Sequence, residues 1–74
     1  MGIWWPDTDD LPVVVAITRQ LLDEHATGKD WKTSHYREEA IRAARLGMIG
    51  NTAAYLTAAG VPSGLFMDQL NLLR

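Results

Sequence analysis

The sequence predicts an all-α protein, arranged as a compact four-helix orthogonal array that follows an extended N-terminal arm. Apolar residues recur at helical spacing, and glycines and capping residues divide the chain into four helical segments. A length of 74 residues allows a single domain. The helices are short and unequal, which favours an orthogonal array over an up-and-down bundle. We therefore assign residues 1–10 to the arm and residues 11–74 to one helical domain.

The arm is expected to be extended because Pro6 disfavours helix at Trp5, and the acidic residues that follow favour turns and caps. The first helix should begin after a cap at Asp9 or Asp10 and end at Gly28. Its side chains at intervals of three and four residues form one inward face. That face comprises Val14, Ile17, Thr18, Leu21, Leu22 and His25.

The second helix is predicted over about residues 35–49, after a linker that holds Trp31 and a cap at Thr33 or Ser34. Its inward side chains are mostly small, so other helices can approach it closely and it should lie near the centre of the fold. They are the stem of Arg37, Ala40, Ile41, Ala44 and Met48, flanked by Ala43 and Gly47.

Gly50 is predicted to end the second helix and Asn51 to cap a short third one, which Gly60 ends. Pro62 or Ser63 should open the fourth helix, whose apolar side carries Leu65, Phe66, Leu70 and Leu73. We expect the first, second and fourth helices to make the larger contacts, with the third set across them.

The composition excludes several classes of protein. Seven basic and nine acidic residues give a net charge of -2, far from the basic balance typical of nucleic-acid binding. No cysteine is present to form a disulfide or a thiolate metal site. The N-terminus does not resemble a signal peptide, because it lacks a basic region and soon becomes acidic. A cytoplasmic location is therefore expected.

The second half of the chain contains 22 residues, positions 46–67, without a charged side chain. Glycine, proline and polar residues interrupt this stretch too often for it to span a bilayer, so no membrane partner is expected. In so small a protein it cannot all be interior, and an exposed apolar patch commonly marks a site where another protein binds. The partner-binding residues predicted on this basis are Met48, Tyr55, Leu56, Phe66 and Met67.

Three tryptophans add to this hypothesis. Trp4 and Trp5 lie on the arm, where they either contribute to partner binding, as tryptophan often does at binding hot spots, or fold back as a lid on the helices. The sequence favours neither alternative. For Trp31 we expect a place in the core.

Residues 35–59 have the outline of a helix-turn-helix, with the turn at Gly50 and Asn51. The third helix, however, offers no arginine, lysine or glutamine that could contact base edges. DNA binding is therefore the second hypothesis, in which basic residues on and before the second helix contact phosphates. These residues are Lys32, Arg37, Arg42 and Arg45.

No pattern indicates catalysis or a bound metal. The acidic cluster at residues 7–10 resembles the start of a calcium loop, but Pro12 and Thr18 stand where that loop needs Gly and Glu. His25 and His35 lack the spacing of zinc ligands, and no activated nucleophile or phosphate-binding loop occurs. We expect no enzymatic activity, metal or cofactor, and we infer no small-molecule substrate.

The leading hypothesis is a small non-enzymatic adaptor, inhibitor or regulator that binds another protein, or a second copy of itself, through an uncharged apolar surface. Such single-domain proteins are common among phages and mobile elements, which makes that origin a hypothesis for this chain. A DNA-binding regulator of helix-turn-helix type is the alternative.

Overall fold

Four α-helices account for most of the computed structural model, which describes residues 8–26 and 31–72. A short 3-10 helix at Thr8–Asp10 leads into α1 (Leu11–His25). The remaining helices are α2 (Trp31–Arg45), α3 (Ile49–Ala58) and α4 (Leu65–Asn71). No strand occurs in the described residues, so the predicted all-α fold with four helices is confirmed.

The N-terminal boundary of the helical region differs from the prediction. The last three residues of the supposed arm form the 3-10 helix, a common structure at the start of an α-helix. Asp10 is the residue before α1, but its side chain makes no capping hydrogen bond, and Pro12 lies in the first turn as expected. Trp4, Trp5 and the proposed helix end at Gly28 lie outside the described residues.

The inward face of α1 is largely as predicted. Its side chains at helical spacing point into the core, and Ile17 and His25 lie half-buried at the edge. The hydroxyl of Thr18 donates a hydrogen bond to the Val14 carbonyl at 2.8 Å, so this buried polar group has a partner. The fully buried residues of α1 are Val14, Thr18, Leu21 and Leu22.

The second helix begins and ends about four residues earlier than predicted. Thr33 and Ser34 lie inside α2 and do not cap it, and the helix ends at Arg45, so Met48 is not part of it. Trp31 is the first residue of α2 and is 73% exposed, so its assignment to the core is wrong. The reason is its position: Trp31 precedes the exposed Glu38 by seven residues, which places both on the solvent side of the helix.

The turn between α2 and α3 lies at residues 46–48, and Gly47 adopts a positive φ of 74° there. Gly50 and Asn51, which were expected to form this turn, are in the first turn of α3. The end of α3 is predicted correctly, because Gly60 follows it with a φ of 105°. Helix α4 starts after Gly64, which has a φ of 94°, and not at Pro62 or Ser63.

The packing of the helices also differs in part from the prediction. Helix α2 packs most extensively on α3 and then on α1, through the buried side chains of Ala40, Ala43 and Ala44. Helix α4 packs on α1 and to a lesser extent on α3. Helices α1 and α3 each contact all the other helices, and α2 makes the two largest contacts, with α3 and α1. The expectation that α3 would make smaller contacts than the other helices is therefore wrong.

One apolar core unites these contacts. Its members come from all four helices and from the segment between α3 and α4. They are Val14, Leu21, Leu22, Ala40, Ala44, Ile49, Leu56, Ala59, Val61, Phe66 and Leu70. Within the part of the chain that is described, no helix combines the length and apolar character needed to cross a bilayer.

Candidate functional site

The candidate site lies at the turn between α2 and α3. The amide of Met48 donates a hydrogen bond to the Ala43 carbonyl at 2.9 Å, and the amide of Gly47 donates one to the Ala44 carbonyl at 3.1 Å. Together with the positive φ of Gly47, these bonds form a Schellman motif, which satisfies carbonyls at the end of α2. The turn is thus a fixed structure.

Helix α3 also ends in a Schellman motif. The residue that follows the glycine differs in exposure between this motif and the one at the end of α2. Val61 follows Gly60 as Met48 follows Gly47, and its amide donates a hydrogen bond to the Leu56 carbonyl at 3.0 Å. An apolar contact frequently accompanies this motif, and Val61 makes it, because its side chain is buried in the core. Met48 instead remains 43% exposed, and Leu46 beside Gly47 is 66% exposed.

We name the surface formed by Leu46, Met48, Asn51 and Tyr55 the corner surface. With Glu39, Arg42 and Ala43 these residues line a shallow depression of about 140 Å³. On the other side of Met48, residues 47–51 line a second depression of about 260 Å³. Met48 and Asn51 therefore line both depressions, and Leu46 lines the smaller one.

Polar groups border the corner surface. Glu39 and Arg42 form an ion pair at 3.5 Å, and Asn51 is exposed. The Tyr55 ring is half-buried, with its centroid 6.2 Å from that of Tyr36 on α2. An apolar centre with a polar rim is the usual anatomy of a protein-binding surface.

The residues that the sequence assigned to partner binding do not form one surface. Met48 and Tyr55 come together at the corner surface. Leu56 and Phe66 are buried in the core, because each lies on the inner face of its helix, and so neither is part of any surface. Met67 is half-buried on α4 and packs against the core, and it does not line the hollows beside Met48.

The sequence analysis did not assign Leu46 or Asn51 to partner binding, and Leu46 is the apolar residue of this surface that it missed. The signal that could have found it is Gly47, which is as good a helix terminator as Gly50. If Gly47 ends α2, Leu46 falls one turn after Arg42, on a side of the helix that charged residues mark as exposed.

A second surface feature is an arginine-lined depression of about 320 Å³ between α1 and α2. Arg42 and Arg45, both predicted as phosphate ligands, meet Arg19 from α1 there, beside Glu38 and Ile41. Arg19 was not among the predicted phosphate ligands.

The other two predicted phosphate ligands lie elsewhere. Arg37 faces α1 and forms an ion pair with Asp23. The Lys32 ammonium lies 5.9 Å from the centroid of the Trp31 ring, a cation–π distance. The structure therefore groups Arg42 and Arg45 and separates them from Lys32 and Arg37.

The two histidines are also apart from one another. His25 lies 3.7 Å from Glu24, and the His35 ring contacts Tyr36 edge-on with centroids 5.4 Å apart. Among residues 8–26 and 31–72, no cluster of three or more His, Asp or Glu side chains could hold a metal ion.

The sequence matches no known protein-family model, and neither the curated proteins nor the solved structures with which it was compared include a match.

Proposed function

We propose that the protein is a non-enzymatic protein-binding module that uses the corner surface to bind an apolar segment of another protein. The observation that carries this proposal is the exposure of Leu46 and Met48, 66% and 43%, on a turn held by backbone hydrogen bonds. Scattered exposed apolar residues are common on monomers and need no explanation. Here two large ones flank one glycine and line the same depression, on a turn whose backbone is held by hydrogen bonds.

The size of the surface indicates the kind of partner. The hollows on either side of Met48 measure about 140 and 260 Å³, room for one or two side chains each and not for an extended interface. A stable dimer usually buries about 800 Å² on each partner, which would require much more than two exposed apolar residues. The supported partner is therefore a peptide segment that presents apolar side chains to Met48, whose unbranched side chain adapts well to different shapes.

The rim adds specificity. Glu39, Arg42 and Asn51 offer an acceptor, a donor and an amide around the apolar centre. A partner with polar groups beside its apolar anchors would bind better than a wholly apolar segment, because it would compensate the desolvation of the Glu39–Arg42 ion pair and of the Asn51 amide.

Affinity capture from the native host tests the proposal. We expect Leu46→Ser with Met48→Ser to lose a partner that the unchanged protein retains. The matched control is Leu72→Ser with Val13→Ser, because Leu72 is 77% exposed and Val13 is 43% exposed, and neither lies at the corner surface. Far-UV circular dichroism should show equal helix content in all three proteins.

The same variants decide the outcome. A partner that both double variants lose equally, or no partner that distinguishes them, would contradict the proposal. Light scattering after size exclusion addresses self-association: a dimer that Leu46→Ser with Met48→Ser disrupts would assign the corner surface to a second copy of the chain.

The depression lined by Arg19, Arg42 and Arg45 favours DNA binding as the second candidate function. Three guanidinium groups on one surface suit phosphate oxygens, and the connection between α2 and α3 has helix-turn-helix form. Mobility shift with mixed duplex DNA at low salt tests it. We expect any shift to weaken steeply with salt and to disappear when the three arginines are replaced by glutamine. No shift at low salt would remove this candidate.

A further inference from the structure

An apolar depression lies at the start of α1, next to the arginine-lined depression. It is lined on α1 by Leu11, Pro12 and Val15 and on α2 by Arg45, and its volume is about 470 Å³. Three of these four lining residues are apolar. Arg45 also lines the arginine-lined depression of about 320 Å³, so the two depressions meet at its side chain.

The two depressions follow one seam between α1 and α2. Leu11, Val15 and Arg19 are spaced four residues apart, so they lie on one side of α1. The eight residues from Leu11 to Arg19 span about 12 Å along the helix, at about 1.5 Å per residue. We name the two depressions together the seam groove. It is apolar at the end near Leu11 and cationic at the end near Arg19.

The cationic end of the seam groove carries an excess of positive charge. Its three guanidinium groups, those of Arg19, Arg42 and Arg45, meet a single carboxylate there, that of Glu38. Among the described residues, Arg42 pairs with Glu39, whereas Arg19 and Arg45 form no ion pair. Guanidinium groups donate paired hydrogen bonds to phosphate oxygens, and a phosphate monoester has a charge of about -1.5 to -2 at neutral pH. This end therefore suits a phosphate group.

The apolar end indicates what such a phosphate is attached to. A nucleic acid carries a phosphate on every nucleotide, so its backbone needs cations along the whole seam, and beyond Arg45 the lining is apolar. A hydrocarbon chain gains from contact with Leu11 and Val15, because that contact removes it from water. The volumes of the two depressions lie within the range of about 300 to 1,000 Å³ that is typical of small-ligand sites.

We propose that the seam groove binds a phosphate monoester with a single apolar chain, its phosphate at Arg19 and Arg45 and its chain against Leu11 and Val15. This site goes beyond the protein-binding function and does not depend on it. Of the residues that line the seam groove, only Arg42 also borders the corner surface.

NMR titration of the backbone amides with ethyl, butyl and hexyl phosphate tests the proposal. Burial of one methylene group raises affinity by up to about fourfold, and the groove is open to solvent on one side, so we expect about twofold per methylene. Inorganic phosphate and hexanol should each bind more weakly than hexyl phosphate. The amides that shift should lie in residues 11–19 and 38–45. Equal affinity for ethyl and hexyl phosphate, or for hexanol and hexyl phosphate, would overturn the proposal.

Arginine variants test the cationic end. Arg45→Gln, and separately Arg19→Gln, should weaken hexyl phosphate binding by about three- to tenfold. Both residues are exposed, so helix content should stay unchanged. Arg37→Gln is the matched control, because it removes the same group from α2 at a position that pairs with Asp23 and does not line the groove. An equal loss of affinity in Arg45→Gln and Arg37→Gln would contradict the proposed site.

A valine pair tests the apolar end. Val15→Ser should reduce the gain in affinity from ethyl to hexyl phosphate and leave the binding of inorganic phosphate unchanged. Val13→Ser is its control, because Val13 lies on α1 but does not line the groove. An equal effect of both variants would count against the site. If Val15→Ser unfolds the protein, the chain-length series and the arginine variants still decide the outcome.

The same proteins separate this proposal from the functions proposed above. Leu46→Ser with Met48→Ser should leave hexyl phosphate binding unchanged, because neither residue lines the seam groove. A shift of duplex DNA that Arg45→Gln weakens, in a protein that does not bind hexyl phosphate, would assign the cationic end to DNA and overturn the proposal.

Discussion

Replacement of Gly47 by alanine should destabilise the protein, although it adds only one methyl group. Gly47 has a φ of 74°, a conformation that costs an L-residue about 1–2 kcal/mol. The new Cβ would also lie 3.3 Å from Cδ2 of Leu11, so that side chain must move by a few tenths of an ångström. We expect the free energy of unfolding to fall by about 1–2 kcal/mol, which corresponds to a melting temperature lower by about 5–15 °C in a domain of this size.

Gly50→Ala is the control, and its effect should have the opposite sign. Gly50 is in the first turn of α3, and a Cβ added there meets no atom within 4 Å. Alanine is a better helix former than glycine, so we expect a gain of about 0.5 kcal/mol. Urea unfolding and thermal melts measure both variants. If Gly50→Ala were the destabilising variant and Gly47→Ala neutral, the turn would lie at Gly50 and our assignment of the corner surface would fail.

Three further experiments test the core and the surface ion pair. Leu56→Ala should cost about 2–5 kcal/mol in urea unfolding, because Leu56 is buried in the core, and a loss below about 1 kcal/mol would show that it is not. Thr52→Val should change stability by less than about 1 kcal/mol, because the carbonyl that accepts its hydroxyl also accepts its backbone amide. A double-mutant cycle with Arg37→Gln and Asp23→Asn should give a coupling below about 1 kcal/mol that salt reduces, since both side chains are partly exposed, and a larger, salt-independent value would contradict this.

The sequence predicted α1 well because the signals for that helix are local and agree with one another. Acidic residues and Pro12 mark its start, and its apolar side chains keep helical spacing through Leu22. Charged residues on the other side, such as Arg19, show which face is outward. Inside and outside can then be assigned without knowledge of the rest of the fold.

The boundary between α2 and α3 was harder to predict because Gly47 and Gly50 are both plausible terminators. Which glycine forms the turn depends on the side chains that each alternative places in the core. A turn at Gly47 places Ile49 on the same face of α3 as Thr52 and Leu56, and all three are buried. A turn at Gly50 would have left Ile49 outside that face. The spacing of these three residues can be read from the sequence. Only the packing of the other helices shows that the face they share is the buried one.

The candidate site was only partly predictable for a related reason. Helix α3 carries no charged residue, so no polar face marks which of its apolar side chains are outward. Tyr55 and Leu56 are neighbours of similar apolar type, yet Tyr55 reaches the corner surface and Leu56 is buried. A difference of about 100° around the helix separates the two environments, and only the packed structure fixes that angle.

The uncharged stretch at residues 46–67 thus has two parts with different physical roles. Most of its larger side chains, such as Ile49 and Leu56, form the core, and the exposed positions of α3 carry mainly small residues such as Ala54 and Ala58. The lack of charge in α3 therefore creates little apolar surface. Large exposed apolar side chains within the stretch are confined to Leu46 and Met48, on the two sides of one glycine. Because a single turn sets the positions of both, the stability of α2 and the shape of the corner surface depend on the same backbone conformation.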